Sequence, residues 1–201
     1  MKKKDKVIAM IPARMGSQRL VKKNLRKLNG VTLIERAIQK CLSSNVFDEI
    51  WVNSEDIAFQ KYAEINAVNF HKRKKALGSD QATSEDYISE FLEHVQCSQL
   101  VQVHSIAPLL TAKSLKSFVE YFQSSKDDVL LSCTNEQIEC SFESSPINFQ
   151  FSSKTNSQEL KPVQRVTWSV TGWRRETFLQ AIKKGKCATY YGKVGYFPLN
   201  R

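Results

Sequence analysis

The sequence predicts an α/β protein whose sheet is mostly parallel and covered by helices on both faces. Short apolar runs such as Val7–Ile11, Leu100–Val103 and Val129–Cys133 have the continuous hydrophobic character of strands buried on both sides. Between them lie segments whose apolar residues recur every three or four positions, as amphipathic helices require. The two patterns alternate through the first 130 residues, and that βαβ rhythm favours parallel strands joined by crossover helices.

Val7–Ile11 is the first strand. Thr32–Ser44 follows as a helix, with Leu33, Ile34, Ala37, Ile38, Cys41 and Leu42 on one face. Ile50–Val52 is a short buried strand, Ile57–Ile65 an amphipathic helix and Val68–Phe70 a third strand. The segment TSED at 83–86 has capping-box spacing and opens a helix carrying Tyr87, Ile88, Phe91, Leu92 and Val95. After the strand Leu100–Val103, Thr111 caps a helix that turns Leu115, Phe118, Val119 and Phe122 inward, and Val129–Cys133 is a strand. Residues 134–163 are Ser/Asn-rich and polar; they read as an excursion of edge strands and loops, with Ile147–Phe151 β-like. A strand at Val166–Val170, a helix at Arg174–Lys184 stopped by Gly185, and a strand at Ala188–Phe197 complete a single domain over 1–201.

Composition narrows the function. A length of 201 residues is enough to bury a core without a disulfide or metal staple. Five scattered cysteines with no Cys-x-x-Cys pair suggest reduced thiols, and the three histidines are too dispersed in sequence to suggest a zinc site. MKKKDKVIAMIPAR starts like a signal peptide, but its apolar stretch is short and ends at Pro12 and Arg14. No apolar run reaches membrane-spanning length, so the expectation is a cytoplasmic protein without a membrane partner. The net charge of +10 favours anionic partners, and residues 1–30 hold ten Lys/Arg against one acid, Asp5. There is no basic stripe or aromatic–basic repeat, so nucleic acid is not the expected partner.

Ligands of open α/β sheets bind beyond the carboxyl ends of the strands. The loops Pro12–Asn24, Asn53–Asp56, Arg73–Ser84 and His104–Pro108 fall there, and two of them are strongly basic. Walker A and the G-x-G-x-x-G fingerprint are both absent. Phosphate can still be held by the backbone N–H groups of the Met-Gly-Ser turn together with guanidinium and ammonium groups. Arg14, Ser17, Arg19, Lys23 and Asn24 are the candidates for that task. Glu55 and Asp56 suit a helix N-cap, and Trp168, Trp173 and the alternating YYGKVGYF at 190–197 suit core or interface packing.

IPARMGSQRLVKKNLRKLNGVTLIERAI closely resembles the opening of the cytidylyltransferases that activate acidic sugars, namely the acylneuraminate enzymes and, more distantly, those that make CMP-Kdo. FDEIWVNSEDIA at 47–58, KRKKALGSDQATSEDYISEFL at 72–92 and VHSIAPLLTAKSL at 103–115 resemble further segments of that family in the same order. The resemblance implies a Rossmann-like three-layer α/β/α fold, a homodimer, CTP and an acidic 3-deoxy-2-ulosonic sugar as substrates, and Mg²⁺. Carried across by position, it implies nucleotide binding at Arg14, Gly16, Ser17, Lys23, Asn24, Arg73, Ala82 and Ser84, with Arg14 and Lys23 in the catalytic role. It implies sugar binding at His104 and Arg165. Asn53-Ser54-Glu55 stands where the family has Ser-Thr-Asp, Leu110 replaces an arginine, and TWSVTG at 167–172 replaces a different strand. The family's Asp-x-Asp after the last strand has no match in these residues. The sequence is therefore either a piece of a longer chain or a divergent member without that metal site, and the metal ligands are unassigned. A non-catalytic nucleotide- or sugar-binding relative is the alternative.

Overall fold

The computed structural model describes residues 6–17 and 20–199, which leaves the candidate Arg19 outside. In chain order the elements are β1 (Val7–Pro12), β2 (Lys27–Leu28), β3 (Val31–Thr32), α1 (Leu33–Ser44), β4 (Glu49–Ser54), α2 (Gln60–Ile65), β5 (Asn69–Lys72) and α3 (Ser84–His94). There follow β6 (Gln99–Val103), α4 (Ala112–Ser124), β7 (Val129–Glu136), β8 (Ser141–Phe142), β9 (Ser145–Pro146), β10 (Val163–Arg174), α5 (Arg175–Lys183) and β11 (Val194–Pro198).

Seven strands form one sheet in the order β11-β7-β10-β6-β1-β4-β5. Only β10 runs against its neighbours, pairing antiparallel with both β6 and β7. The strand β1 lies inside the sheet between β4 and β6, and its side chains divide between two cores. Val7, Ala9 and Ile11 pack with Ile34, Ile38, Phe118 and Phe122 on the α1/α4 side. Ile8 and Met10 pack with Ile88, Phe91, Leu92 and Phe178 on the α3/α5 side. Burial on both faces is why this strand reads as an unbroken apolar run, and it produces the expected three-layer α/β/α arrangement.

The caps were legible. Thr32 and Glu35 form a reciprocal capping box on α1, Thr83 and Asp86 form one on α3, and the Thr111 side chain caps α4. Gly185, in the left-handed region at φ +60°, follows α5 as expected.

Four local expectations change. Leu42 is 44% exposed, because α1 buries Lys40, Cys41 and Ser44 instead. Residues 57–65 divide into a 3-10 turn at Ile57–Phe59 and the six-residue α2. The last strand starts only at Val194: the chain first forms a 3-10 turn at Ala188–Tyr190, and the Asp128 carboxylate then accepts the Lys193 N–H to set the strand's start. Ile147–Phe151 is not a strand. The hairpin is β8–β9, turned by Glu143 and Ser144 with positive φ, and the Asn148 side chain pins the following loop by donating to the carbonyls of Ile138 and Lys161.

Candidate active site

The loops after β1, β5 and β6 converge beyond the sheet's carboxyl edge around a cavity of about 340 Å³. Arg14, Ser17, Lys23 and Asn24 reach it from the first loop, Arg73, Ala82 and Ser84 from the second, and His104 from the third. Eight of the ten sequence candidates that fall among the described residues are thereby brought together. Gly16 does not line the cavity, and a Cβ there would meet nothing within 4 Å, so packing does not require the glycine. Arg165 lies elsewhere, as described below.

The first loop is held from within. Lys22 adopts a left-handed conformation (φ 52°) that starts a 3-10 turn at Lys23–Leu25. Asn24 is 4% exposed; its Nδ2 donates to the Arg14 carbonyl at 2.9 Å, and its Oδ1 accepts from Ser105 Oγ at 2.6 Å. One buried amide thus ties the basic loop to the loop after β6. Arg14 Nη1 donates to Asp80 Oδ1 at 2.8 Å across the cavity mouth, an ion pair open to solvent on both sides.

Arg73 is 3% exposed and far more constrained. Its Nη2 meets Glu55 Oε2 at 2.8 Å, and its guanidinium lies 4.8 Å from the centre of the Tyr87 ring. Glu55 Oε1 also accepts the Met15 N–H at 2.9 Å, so this carboxylate braces the basic loop and does not cap a helix. Asp56 does cap, accepting from the Ala58 N–H at 2.8 Å. Gly78 is needed here, since a Cβ would come within 2.4 Å of Glu55 Cγ. Arg73 Nε is buried without a hydrogen-bond partner, which leaves a donor at a cavity-lining residue.

His104 Nε2 is hydrogen-bonded to the Gln102 side-chain amide, which also reaches Tyr87 Oη at 3.2 Å. This contact fixes the ring's orientation and leaves either tautomer open to it. Burial, then the charge of Lys23, pushes its pKa down to about 4. Such an imidazole offers hydrogen bonds but is a weak base. Behind the same loop, Lys40 Nζ donates to the Ala107 carbonyl at 2.6 Å, and burial lowers its pKa to about 8. Sequence reasoning gave Glu55 a capping role in place of this bracing one, and missed Gln102 and Lys40. Gln102 carried a signal, because an amide stands inside an otherwise apolar strand.

Arg165 lines a second, more apolar cavity of about 840 Å³ with Leu109, Leu110, Thr134, Ser169 and Phe197. Its side chain is 63% exposed and pairs with Glu136 at 3.1 Å. The two cavities adjoin, sharing Ile106 in their walls. A bulge in β10 shapes the second one: register shifts between Val166 and Thr171, and Trp168 takes a positive φ of 54°.

The donor set does not fit a protein-held Mg²⁺. Among the described residues lining the first cavity the one carboxylate is Asp80, already paired with Arg14. The histidines also differ from expectation: His71 and His94 approach to 5.2 Å between ring centres.

A mostly parallel sheet with one reversed strand, helices on both faces and a cation-lined cavity at its carboxyl edge defines a Rossmann-like α/β protein. Residues 8–199 match the cytidylyltransferase family, and the chain belongs to it. It is 27% identical over 201 residues to N-acylneuraminate cytidylyltransferase A of Danio rerio, covering 94% of this chain and 46% of that one. It is 31% identical over 135 residues to the pseudaminic acid cytidylyltransferase of Campylobacter jejuni subsp. jejuni serotype O:2, covering 64% of this chain and 58% of that one. The chain thus spans about half the length of these curated relatives. The solved structure of CMP:2-keto-3-deoxy-manno-octonic acid synthetase complexed with CTP superposes with a TM-score of 0.70 at 16% identity, covering 96% of this chain and 90% of that one; it shares the fold.

Proposed function

We propose that this chain is a single nucleotidyltransferase domain that activates an acidic 3-deoxy-2-ulosonic sugar with CTP, giving the CMP-sugar and pyrophosphate. The observation that carries the proposal is the clustering of Arg14, Lys23 and Arg73 in one cavity at the strand ends of a cytidylyltransferase-family chain. In the proposed reaction the anomeric hydroxyl attacks the α-phosphorus in line, an O–P bond forms, and the bond to pyrophosphate breaks as the hydroxyl proton leaves. Such transfer depends on positioning and on charge neutralisation. Arg14 would exchange Asp80 for phosphate oxygens, and Lys23 would offset charge developing on the transferred and leaving groups. Arg73 Nε would donate to the base, near Ala82 and Ser84. His104 would orient a sugar hydroxyl, and Arg165 would meet the sugar carboxylate from the adjoining cavity.

The same proposal makes the protein a cytoplasmic homodimer, with any Mg²⁺ carried in on the CTP phosphates and not held by protein carboxylates. No helix among the described residues is long and apolar enough to cross a membrane. A second reading, a nucleotide-binding relative that does not transfer, is favoured by Asp80 being the one carboxylate among the described residues of the cavity lining.

Pyrophosphate release measured with CTP, Mg²⁺ and a panel of 3-deoxy-2-ulosonic acids, with UTP and ATP as controls, tests both. CTP-dependent release with one sugar supports the transferase and names its substrate. CTP binding with no release from any acid supports the binding relative. Failure to bind CTP overturns both.

A further inference from the structure

We propose that His71, Glu90 and His94 form a binding site for a divalent transition metal, best matched by Zn²⁺, at the edge of the sheet. One ligand atom from each residue lies within 4.8 Å of the others. None of the three lines the nucleotide cavity, so the inference does not rest on the proposed transferase activity.

The fold builds the site from two elements. His71 projects from the edge strand β5, and Glu90 and His94 stand four residues apart on one face of α3. Glu90 Oε2 is 2.8 Å from His71 Nε2, and both side chains are about one-tenth exposed. His71 is fixed edge-on against Phe91, with 5.4 Å between ring centres. His94 Nδ1 lies 2.8 Å from the Glu90 carbonyl oxygen. A carbonyl only accepts, so Nδ1 is the donor, and Nε2 is the nitrogen left to meet a metal. Anchoring one ring nitrogen on a backbone carbonyl while the other is presented outward is how metal-ligating histidines are oriented.

The donor chemistry selects the ion. Two imidazoles and a carboxylate suit Zn²⁺, Co²⁺ or Ni²⁺, whereas Mg²⁺ prefers oxygen ligands. Donors about 2.0–2.2 Å from a tetrahedral ion sit roughly 3.5 Å apart, so His71 and Glu90, 2.8 Å apart, must part slightly while His94 closes in by about 1 Å. The exposed His94 ring can supply that movement. Metal entry displaces the hydrogen between His71 and Glu90: a neutral His71 keeps it on Nδ1, and a cationic one releases one proton to solvent. Water completes the coordination. The bridge joins β5, which runs into Arg73, to α3, which starts at Ser84, and so clamps two elements that flank the nucleotide cavity.

The test uses the full chain, stripped with chelator and free of nucleotide. Zn²⁺ is titrated calorimetrically and Co²⁺ by absorption. The expected result is one Zn²⁺ per chain, a rise in Tm on the order of 5 °C at saturating metal, and a visible Co²⁺ d–d band without thiolate charge transfer. His94→Ala, at an exposed position, should weaken Zn²⁺ binding at least about tenfold with an unchanged circular dichroism spectrum. Cys187→Ser, which removes the exposed cysteine, should leave binding intact. Absence of Zn²⁺ binding, equal affinity in His94→Ala, or a thiolate charge-transfer band would each overturn the proposal.

Discussion

The two adjoining cavities are built on different principles. In the first, polar side chains are tied across to other loops: Asn24 to Ser105, Arg73 to Glu55, Arg14 to Asp80. In the second, Arg165 and the large side chain of Leu109 stand in solvent, and Leu109 is 84% exposed. The first cavity is pre-organised before any ligand arrives, which favours recognition of a constant group such as a triphosphate. The second owes its shape to the β10 bulge and to β11 at the edge of the sheet. A braced cavity beside an open one is the arrangement that the proposed function calls for.

The largest expected effect attacks the rigid side. Glu55→Ala strips the counter-charge from a buried arginine and releases the Met15 N–H, and should destabilise the protein by about 3–5 kcal/mol in urea unfolding. A loss below about 1 kcal/mol would mean that the first cavity is not internally braced. Glu55→Gln, which keeps an acceptor for Arg73, should lose less.

Lys23→Ala follows. It should leave the fold intact and lower the rate of CTP-dependent pyrophosphate release by about 10²–10³-fold, equivalent to roughly 2–4 kcal/mol of transition-state stabilisation. Wild-type turnover in this variant would remove Lys23 from the chemistry.

His104 provides a pH signature. Its folded pKa of about 4 lies below the usual histidine value of 6.5. Its contribution to stability is therefore complete above pH 6.5 and is lost as pH falls toward 4, because the unfolded chain takes up the proton first. Chemical denaturation of wild type and His104→Gln across this window should show wild type losing on the order of 2–3 kcal/mol more than the variant. Parallel curves would place His104 in a wetter setting than the structure gives it.

The smallest effect falls on the open side. Arg165→Ala breaks an exposed ion pair and should change stability by less than about 1 kcal/mol. Once a sugar substrate is known, the variant should raise the KM for that sugar and leave the KM for CTP unchanged. An equal rise in both would join the two cavities into one functional unit.

Local chemistry determined much of this protein in advance. Buried parallel strands write themselves as apolar runs, and capping boxes at Thr32 and Thr83 mark helix starts, so the order and class of the main elements were legible, as was the convergence of the basic loops at one edge of the sheet. Where several conformations satisfy the same local pattern, the neighbours decided. Ile147–Phe151 alternates like a strand yet has no edge to join, and residues 188–193 turn because Asp128 and the close of α5 hold them. The same holds within the sites. Sequence could nominate Arg73 but not the carboxylate that neutralises it, nor separate Arg165 from the other candidates. His71 and His94 are 23 positions apart in the chain, and only the packing of α3 against β5 places them on either side of Glu90. Propensity, capping and hydrophobic period act over a few residues and are written in the sequence, whereas charge pairing, burial and ligand geometry depend on distances in space and exist only once the chain has folded.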